Sequence, residues 1–199
     1  MTMNNIDGLI LAAGRSSRMS SGHKVVAKLG DQPLLQHVIN RLEPQVDSLV
    51  INADPEICGK QSYPLIADRL EGYRGPLMGL YTGLTNPYLS SAEYLLTVPC
   101  DGPFMPSNLA TKLRVLIMAQ KADIACIRYQ GQIEPMFSLW HKRVIPVIEQ
   151  ALLANQGGFK SLFEDLQTAY LDWPEQAINP FFNINTVDDL AAAERLLCR

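Results

Sequence analysis

The sequence predicts a single α/β domain built on a mostly parallel sheet, and three observations lead there. Short apolar runs alternate with longer helical patterns along the chain. Most of those apolar runs stop at a glycine, proline or polar loop, as buried strands do. The 199 residues, 47% hydrophobic, suffice for one well-buried core and are short for two.

The elements follow in order. Residues 6–12 (IDGLILA) read as a buried strand, and a polar loop follows. Pro33 opens a helix through about residue 42, since proline suits a first helical turn. Residues 48–53 (SLVINA) and 63–67 (YPLIA) are the second and third strands. A glycine-rich stretch holding Gly72, Gly75 and Pro76 leads into a helix over 77–84. The next buried strand, 93–98, is stopped by Pro99-Cys100-Asp101. A helix over 106–119 and strands over 123–128 and 134–139 come next. A helix over 142–155 meets Gly157-Gly158, and a shorter one covers 159–166. The chain closes with a short strand, 182–185, and a helix over 186–197. Asn185 or Thr186 can cap that helix, and Asp188 and Asp189 complement its positive end.

Composition removes several function classes. The net charge of −3 argues against nucleic acid or an anionic membrane as the main partner. The apolar runs are strand-sized, which excludes a membrane span. The start, MTMNNIDG, lacks a secretory pattern, and the four separated cysteines fit a reducing compartment, so the expected location is the cytoplasm.

In a parallel sheet, ligands sit beyond the carboxyl ends of the strands, so the candidate site lies where the first four strands end. Between Asp7 and Asp31 there is no acidic residue, while Arg15, Arg18, Lys24 and Lys28 gather there with His23. That sign reversal, with Gly14 allowing close backbone approach, suggests an anion-binding loop; the alternative is a solvated basic loop. It matches neither G-x-G-x-x-G nor G-x-x-x-x-G-K-[ST]. Asp101, between Pro99 and Pro103, is placed to bind a divalent metal or to cap the following helix. Cys100 reads as a buried thiol, and His37 and His141 as structural. Asn52 and Asp68 end strands and serve either as turn residues or in the site. In FFNINT, Asn183 and Asn185 fall on one side of an extended segment. Asn183 is a metal or substrate candidate, Asn185 a cap.

Taken together, LILAAGRSSRM with Lys24, GDQPLLQHV, VINAD, IADRLEGYRGPLMGL, VPCDGPFMP, IEPMFSLW and FFNINTVDDL resemble the MobA-like nucleotidyltransferases. Within that family they are most similar to the molybdenum cofactor guanylyltransferases. The resemblance implies a Rossmann-like, GT-A-type, three-layer α/β/α fold. It implies transfer of GMP from GTP to the terminal phosphate of molybdopterin, with Mg2+ or Mn2+. In the family the first loop, here Leu11, Ala12, Ala13 and Gly14, wraps the triphosphate. Lys24 meets its phosphates, Asp101 holds the metal, and Asn52 and Asp68 lie at the guanine; Arg18, by its charge in the same loop, is expected beside Lys24 on the phosphates. Gly79, Asn183 and Asn185 fall on the acceptor side. Residues 1–105 would form the nucleotide-binding part and 106–199 the acceptor-binding part, and cofactor-insertion proteins or molybdoenzymes are possible partners.

Three positions depart from the guanylyl pattern. Ala13 stands for a second glycine, His23 for an aspartate, and Gly157-Gly158-Phe159-Lys160 for paired arginines. The first two resemble the cytidylyltransferases, so CTP is the alternative substrate. A sugar-1-phosphate nucleotidyltransferase and a non-catalytic nucleotide-binding module are the other readings.

Overall fold

Ile6 to Leu11 are buried without a break, as a strand covered on both faces must be. The computed structural model describes residues 5–13, 27–69, 75–89 and 91–197, and this strand, β1 (Ile6–Leu11), lies inside its main sheet. A small antiparallel hairpin of β2 (Lys28–Leu29) and β3 (Gln32–Pro33) precedes α1 (Leu34–Leu42). There follow β4 (Ser48–Asn52), the short α2 (Pro55–Cys58), β5 (Leu65–Ile66), α3 (Pro76–Leu84) and β6 (Tyr94–Pro99). The second half comprises α4 (Leu109–Gln120), β7 (Ile124–Tyr129), β8 (Gln132–His141), α5 (Ile145–Leu153), α6 (Lys160–Asp165), β9 (Thr168–Trp173) and α7 (Val187–Leu197).

The seven-stranded sheet runs β5-β4-β1-β6-β8-β7-β9. Only β8 opposes its neighbours; every other adjacent pair is parallel. The reversal comes from a two-residue hairpin between β7 and β8, where Gln130 and Gly131 both have positive φ, as a turn matching the strand twist requires. Helices cover both faces. Leu35, Val38 and Leu42 of α1 and Leu109, Leu113 and Ile117 of α4 pack on one. Leu77, Leu80 and Leu84 of α3, with Ile148 of α5 and Leu162 of α6, pack on the other. A third cluster joins Leu29 and Leu34 of the hairpin region to Ile184 and to Ala193 of α7. This is the expected three-layer α/β/α domain. No helix among the described residues is long and apolar enough to cross a membrane.

The structure corrects several element boundaries. The third strand shrinks to two residues because Pro64 has no N–H to give; its carbonyl still accepts from Ile51 N at 3.0 Å. The helix expected from residue 106 begins at Leu109 after a turn in which Leu109 N donates to Pro106 O at 3.3 Å. Lys142–Val144 form a 3-10 turn before α5. Residues 182–185 are extended but pair with no described strand. Strand β9, with its alternating TAYLDW pattern, is a further strand beyond those expected and forms one edge of the sheet.

One charge sits inside this frame. Asp7 of β1 has 0% side-chain exposure, and its Oδ2 accepts from Lys142 Nζ at 3.0 Å. Lys142 also donates to Leu89 O. Burial raises the Asp7 pKa above the ordinary value, and the lysine opposes that shift. Replacing Lys142 by Met leaves the buried carboxylate unpaired and is expected to cost about 3–5 kcal/mol near neutral pH. A raised folded-state pKa means the folded chain binds more protons than the unfolded one above the ordinary aspartate value of 3.8. Stability linked to this group therefore falls as pH rises through that window. Urea denaturation should show the Lys142→Met deficit shrinking from pH 8 to pH 5.5; a deficit that grows on acidification would contradict this role for Asp7.

Candidate active site

The four parallel strands β5, β4, β1 and β6 end in register. Ile66 lies opposite Asn52, Asn52 opposite Leu11, and Leu11 opposite Pro99. Backbone pairing continues one step beyond this row: Ala53 N donates to Ile66 O at 3.1 Å, Ala12 N to Asn52 O at 2.8 Å, and Cys100 N to Leu11 O at 3.1 Å. The segments that leave the sheet here therefore start from fixed positions. Asp68, Ala13 and Asp101 each follow within two residues of the row.

Asn52 is 1% exposed. Its Nδ2 donates to Ile66 O at 3.2 Å and to Asp68 Oδ1 at 2.9 Å. Both amide hydrogens are thereby committed, so Asn52 is a residue that aims Asp68 rather than a free recognition group. Arg69 N donates to Thr82 Oγ1 of α3 at 3.1 Å, pinning the same segment from the other side. Among the described residues nothing else hydrogen-bonds the Asp68 carboxylate.

Helix α3 lies directly on these strand ends because two of its residues lack side chains. A Cβ on Gly79 would fall 2.4 Å from Asn52 Oδ1 and 2.7 Å from Leu11 Cδ2. One turn later a Cβ on Gly83 would fall 2.6 Å from Leu9 Cδ2. Gly79 is thus a packing residue beneath Asn52 and the end of β1. At the start of α3, Gly75 has φ +140°, and a Cβ there would meet Gly157 O at 2.3 Å. That same carbonyl accepts from Leu77 N at 3.2 Å, satisfying one of the amides a helix N-terminus leaves open. The Gly157-Gly158 segment, where arginines were expected, is therefore backbone packed on α3. The sequence offered the glycine pair as a signal but not its partner.

Across the row, Asp101 is 8% exposed. Its carbonyl accepts from Ile184 N at 2.9 Å, tying the C-terminal segment to the end of β6. Asn183, the residue before Ile184, has a buried Oδ1 with no hydrogen-bond partner among the described residues, which is costly unless a further group supplies one. Helix α7 is capped by Thr186: Asp189 N donates to Thr186 Oγ1 at 3.1 Å, and Asp189 Oδ2 accepts from Thr186 N and Asn185 N at 2.9 Å each. The cap is therefore not Asn185, whose Nδ2 instead donates to Asn183 O at 3.3 Å.

The described residues contain no group of three His, Cys, Asp or Glu able to hold a metal on their own. What they offer at the end of β6 is hard oxygen chemistry: the Asp101 carboxylate and the amide oxygen of Asn183. That fits a cation such as Mg2+, which takes one or two carboxylates and completes its shell with phosphate oxygens and water. Gly14, Arg18, His23 and Lys24 lie outside the described residues. Leu11 and Ala12 are buried, and Ala13 is exposed at the mouth of the site. Cys100 is a buried thiol. His37 bonds Leu29 O at 2.9 Å and His141 lies 3.0 Å from Glu93, so both have structural partners.

Residues 8–170 match the family model described as a MobA-like NTP transferase domain. A molybdenum cofactor guanylyltransferase of Rhodopseudomonas palustris (strain BisB5) is 38% identical over 196 residues, covering 96% of this chain and 93% of the relative. Among solved structures, the molybdopterin-guanine dinucleotide biosynthesis protein A of Archaeoglobus fulgidus superposes with a TM-score of 0.81 at 20% identity. That match covers 96% of this chain and 98% of the other. Rv0371C of Mycobacterium tuberculosis H37Rv, solved in complex with manganese, gives a TM-score of 0.68 at 16% identity over 96% of this chain and 98% of that one.

The contact of Gly79 with Asn52 gives a direct test. Gly79→Ala overpacks the helix against the strand ends and is expected to lower stability by about 1–3 kcal/mol. Gly158→Ala, with nothing within 4 Å of its added carbon, should change it by less than about 0.5 kcal/mol. Denaturant midpoints decide; equal effects would remove the close approach of α3 from the account.

Proposed function

The chain belongs to the MobA-like NTP transferase family, and we propose that it transfers GMP from GTP to the terminal phosphate of molybdopterin, releasing pyrophosphate. The observation that carries this reading is the 38% identity, over nearly the whole chain, to a molybdenum cofactor guanylyltransferase. It is supported by the strand-end arrangement of Asp101, Asn183 and the Asn52–Asp68 pair. In this reading the part up to about residue 105 takes the nucleotide and the rest takes the acceptor, in the cytoplasm, with cofactor-insertion proteins or molybdoenzymes as possible recipients of the product.

The reaction is an in-line displacement at the α-phosphorus: an acceptor phosphate oxygen forms the new bond as the bond to pyrophosphate breaks. A phosphate monoester is already largely ionised at neutral pH, so no general base is needed, in keeping with structural roles for His37 and His141. The work left to the protein is positioning and charge neutralisation. Lys24 and Arg18 stabilise the phosphates and the leaving pyrophosphate. Asp68, aimed by Asn52, accepts from the ring N–H and amino group that guanine presents together and cytosine does not. Ala13, at the site mouth, and His23 are the features that favour the CTP alternative. Asp101, with the Asn183 amide oxygen, would hold Mg2+ or Mn2+. Such an ion, when bound, neutralises phosphate charge.

Asp101→Asn and Lys24→Ala should each lower GTP-dependent turnover about 10²-fold or more, the scale for losing a charge-stabilising group, with melting temperatures near wild type. Near wild-type turnover in either variant would remove its assigned role. In a thermal-shift panel with Mg2+, GTP at 100 times its dissociation constant should stabilise the chain by about 2.7 kcal/mol. Stabilisation by CTP and not GTP would transfer the assignment to the cytidylyl reaction. No response to any nucleotide would favour a non-catalytic module.

A further inference from the structure

A cavity of about 430 Å³ opens between the end of α1, the start of α4 and the segment that leaves β9. Its size falls within the range of small-molecule sites. Its charge is one-sided: among the described residues Arg41 and Lys112 line it and no carboxylate does, in a chain whose net charge is −3. Neither cation is ion-paired among the described residues. Arg41 Nη1 donates to Met105 O at 3.1 Å, which anchors the guanidinium and leaves donors unused. Lys112 Nζ sits 5.1 Å from the centre of the Trp173 ring, so its charge is held over an aromatic face rather than by an acid.

The rest of the lining is mixed: Ser107, Asn108 and Gln176 are polar, and the aromatic part of the wall is held in place. Trp173 is 6% exposed and is braced edge-on by Phe181, ring centres 5.5 Å apart at 86°. Phe104 and Ile178 extend the apolar lining. The Trp173 indole N–H is buried and has no acceptor among the described residues, although a buried indole normally finds one. Two cations without an ion pair among the described residues and an aromatic side chain line one cavity, and no role assigned above to an individual residue falls on any of them.

We propose that this cavity binds a small organic anion: a phosphate or carboxylate carried on a flat apolar body. Arg41 and Lys112 take the charge, and Trp173, Phe104 and Ile178 take the body. Its lining residues are other than those named at the strand-end site, and the proposal does not depend on the nucleotide assignment.

The chain has two tryptophans, so a 15N correlation spectrum carries two indole N–H signals. Trp173→Phe identifies one; the other belongs to Trp140, which is buried elsewhere and donates to Thr97 Oγ1 at 3.1 Å. Titration with phenyl phosphate or benzoate should move the Trp173 signal saturably in the millimolar range or below while leaving Trp140 in place. Lys112→Glu and Arg41→Gln should each weaken the midpoint about tenfold or more, as loss of a charge-assisted contact does. The unmoved Trp140 signal shows that each variant is folded. Inorganic phosphate and phenol, each half of the probe, should bind more weakly than phenyl phosphate. The proposal is overturned if no saturable shift appears, if both charge variants keep the wild-type midpoint, or if inorganic phosphate matches phenyl phosphate.

Discussion

The close approach of α3 to the ends of β1 and β4 is the constraint on which the rest of the site depends. A helix with side chains at every position rides higher on a sheet than one with glycines at i and i+4. Gly79 and Gly83 provide that spacing, with Leu9, Leu11 and Asn52 filling the room their missing side chains leave. The same approach brings Thr82 to the backbone of Arg69 and confines Asn52 to one orientation. From there the Asn52–Asp68 hydrogen bond follows, and with it a carboxylate whose direction is set before any ligand arrives. Preorganised polar groups of this kind act without having to reorient at the moment of reaction.

The opposite half of the site is built by a different device. The C-terminal segment crosses to the end of β6, held by Ile184: its side chain sits in the third apolar cluster and its N–H on the Asp101 carbonyl. Burying Ile184 forces its neighbour Asn183 toward the other side of the extended chain. The cost of an unpartnered amide oxygen there is tolerated because hydrophobic contacts on either flank fix the backbone. A site formed by chain ends far apart in sequence thus depends on ordinary packing, and a loss of packing in α7 would reach Asp101 through Ile184.

Much of this was legible in the residues. Buried strands such as 6–12 and 93–98 announce themselves by uninterrupted apolar runs, and Asp101 by its place between a strand and two prolines. The two-residue extent of β5 was not legible, because it turns on the missing N–H of Pro64 at one backbone position. Strand β9 escaped because an edge strand with a polar face carries only a weak alternation. The docking of Gly157 on Gly75 was hidden for another reason: it is a contact between two backbones, and side-chain patterns say nothing about which loops meet. The role of Asn52 was half legible, since its type and position marked it while its commitment to Asp68 required the fold.

The account rests on GMP transfer to a phosphate acceptor, and product identity tests it most directly. The purified chain, given GTP, molybdopterin and Mg2+, should form a molybdopterin–guanine dinucleotide, read by mass spectrometry, with one pyrophosphate released per product. A cytosine dinucleotide formed from CTP while GTP gives none, or no dinucleotide from either, would contradict it.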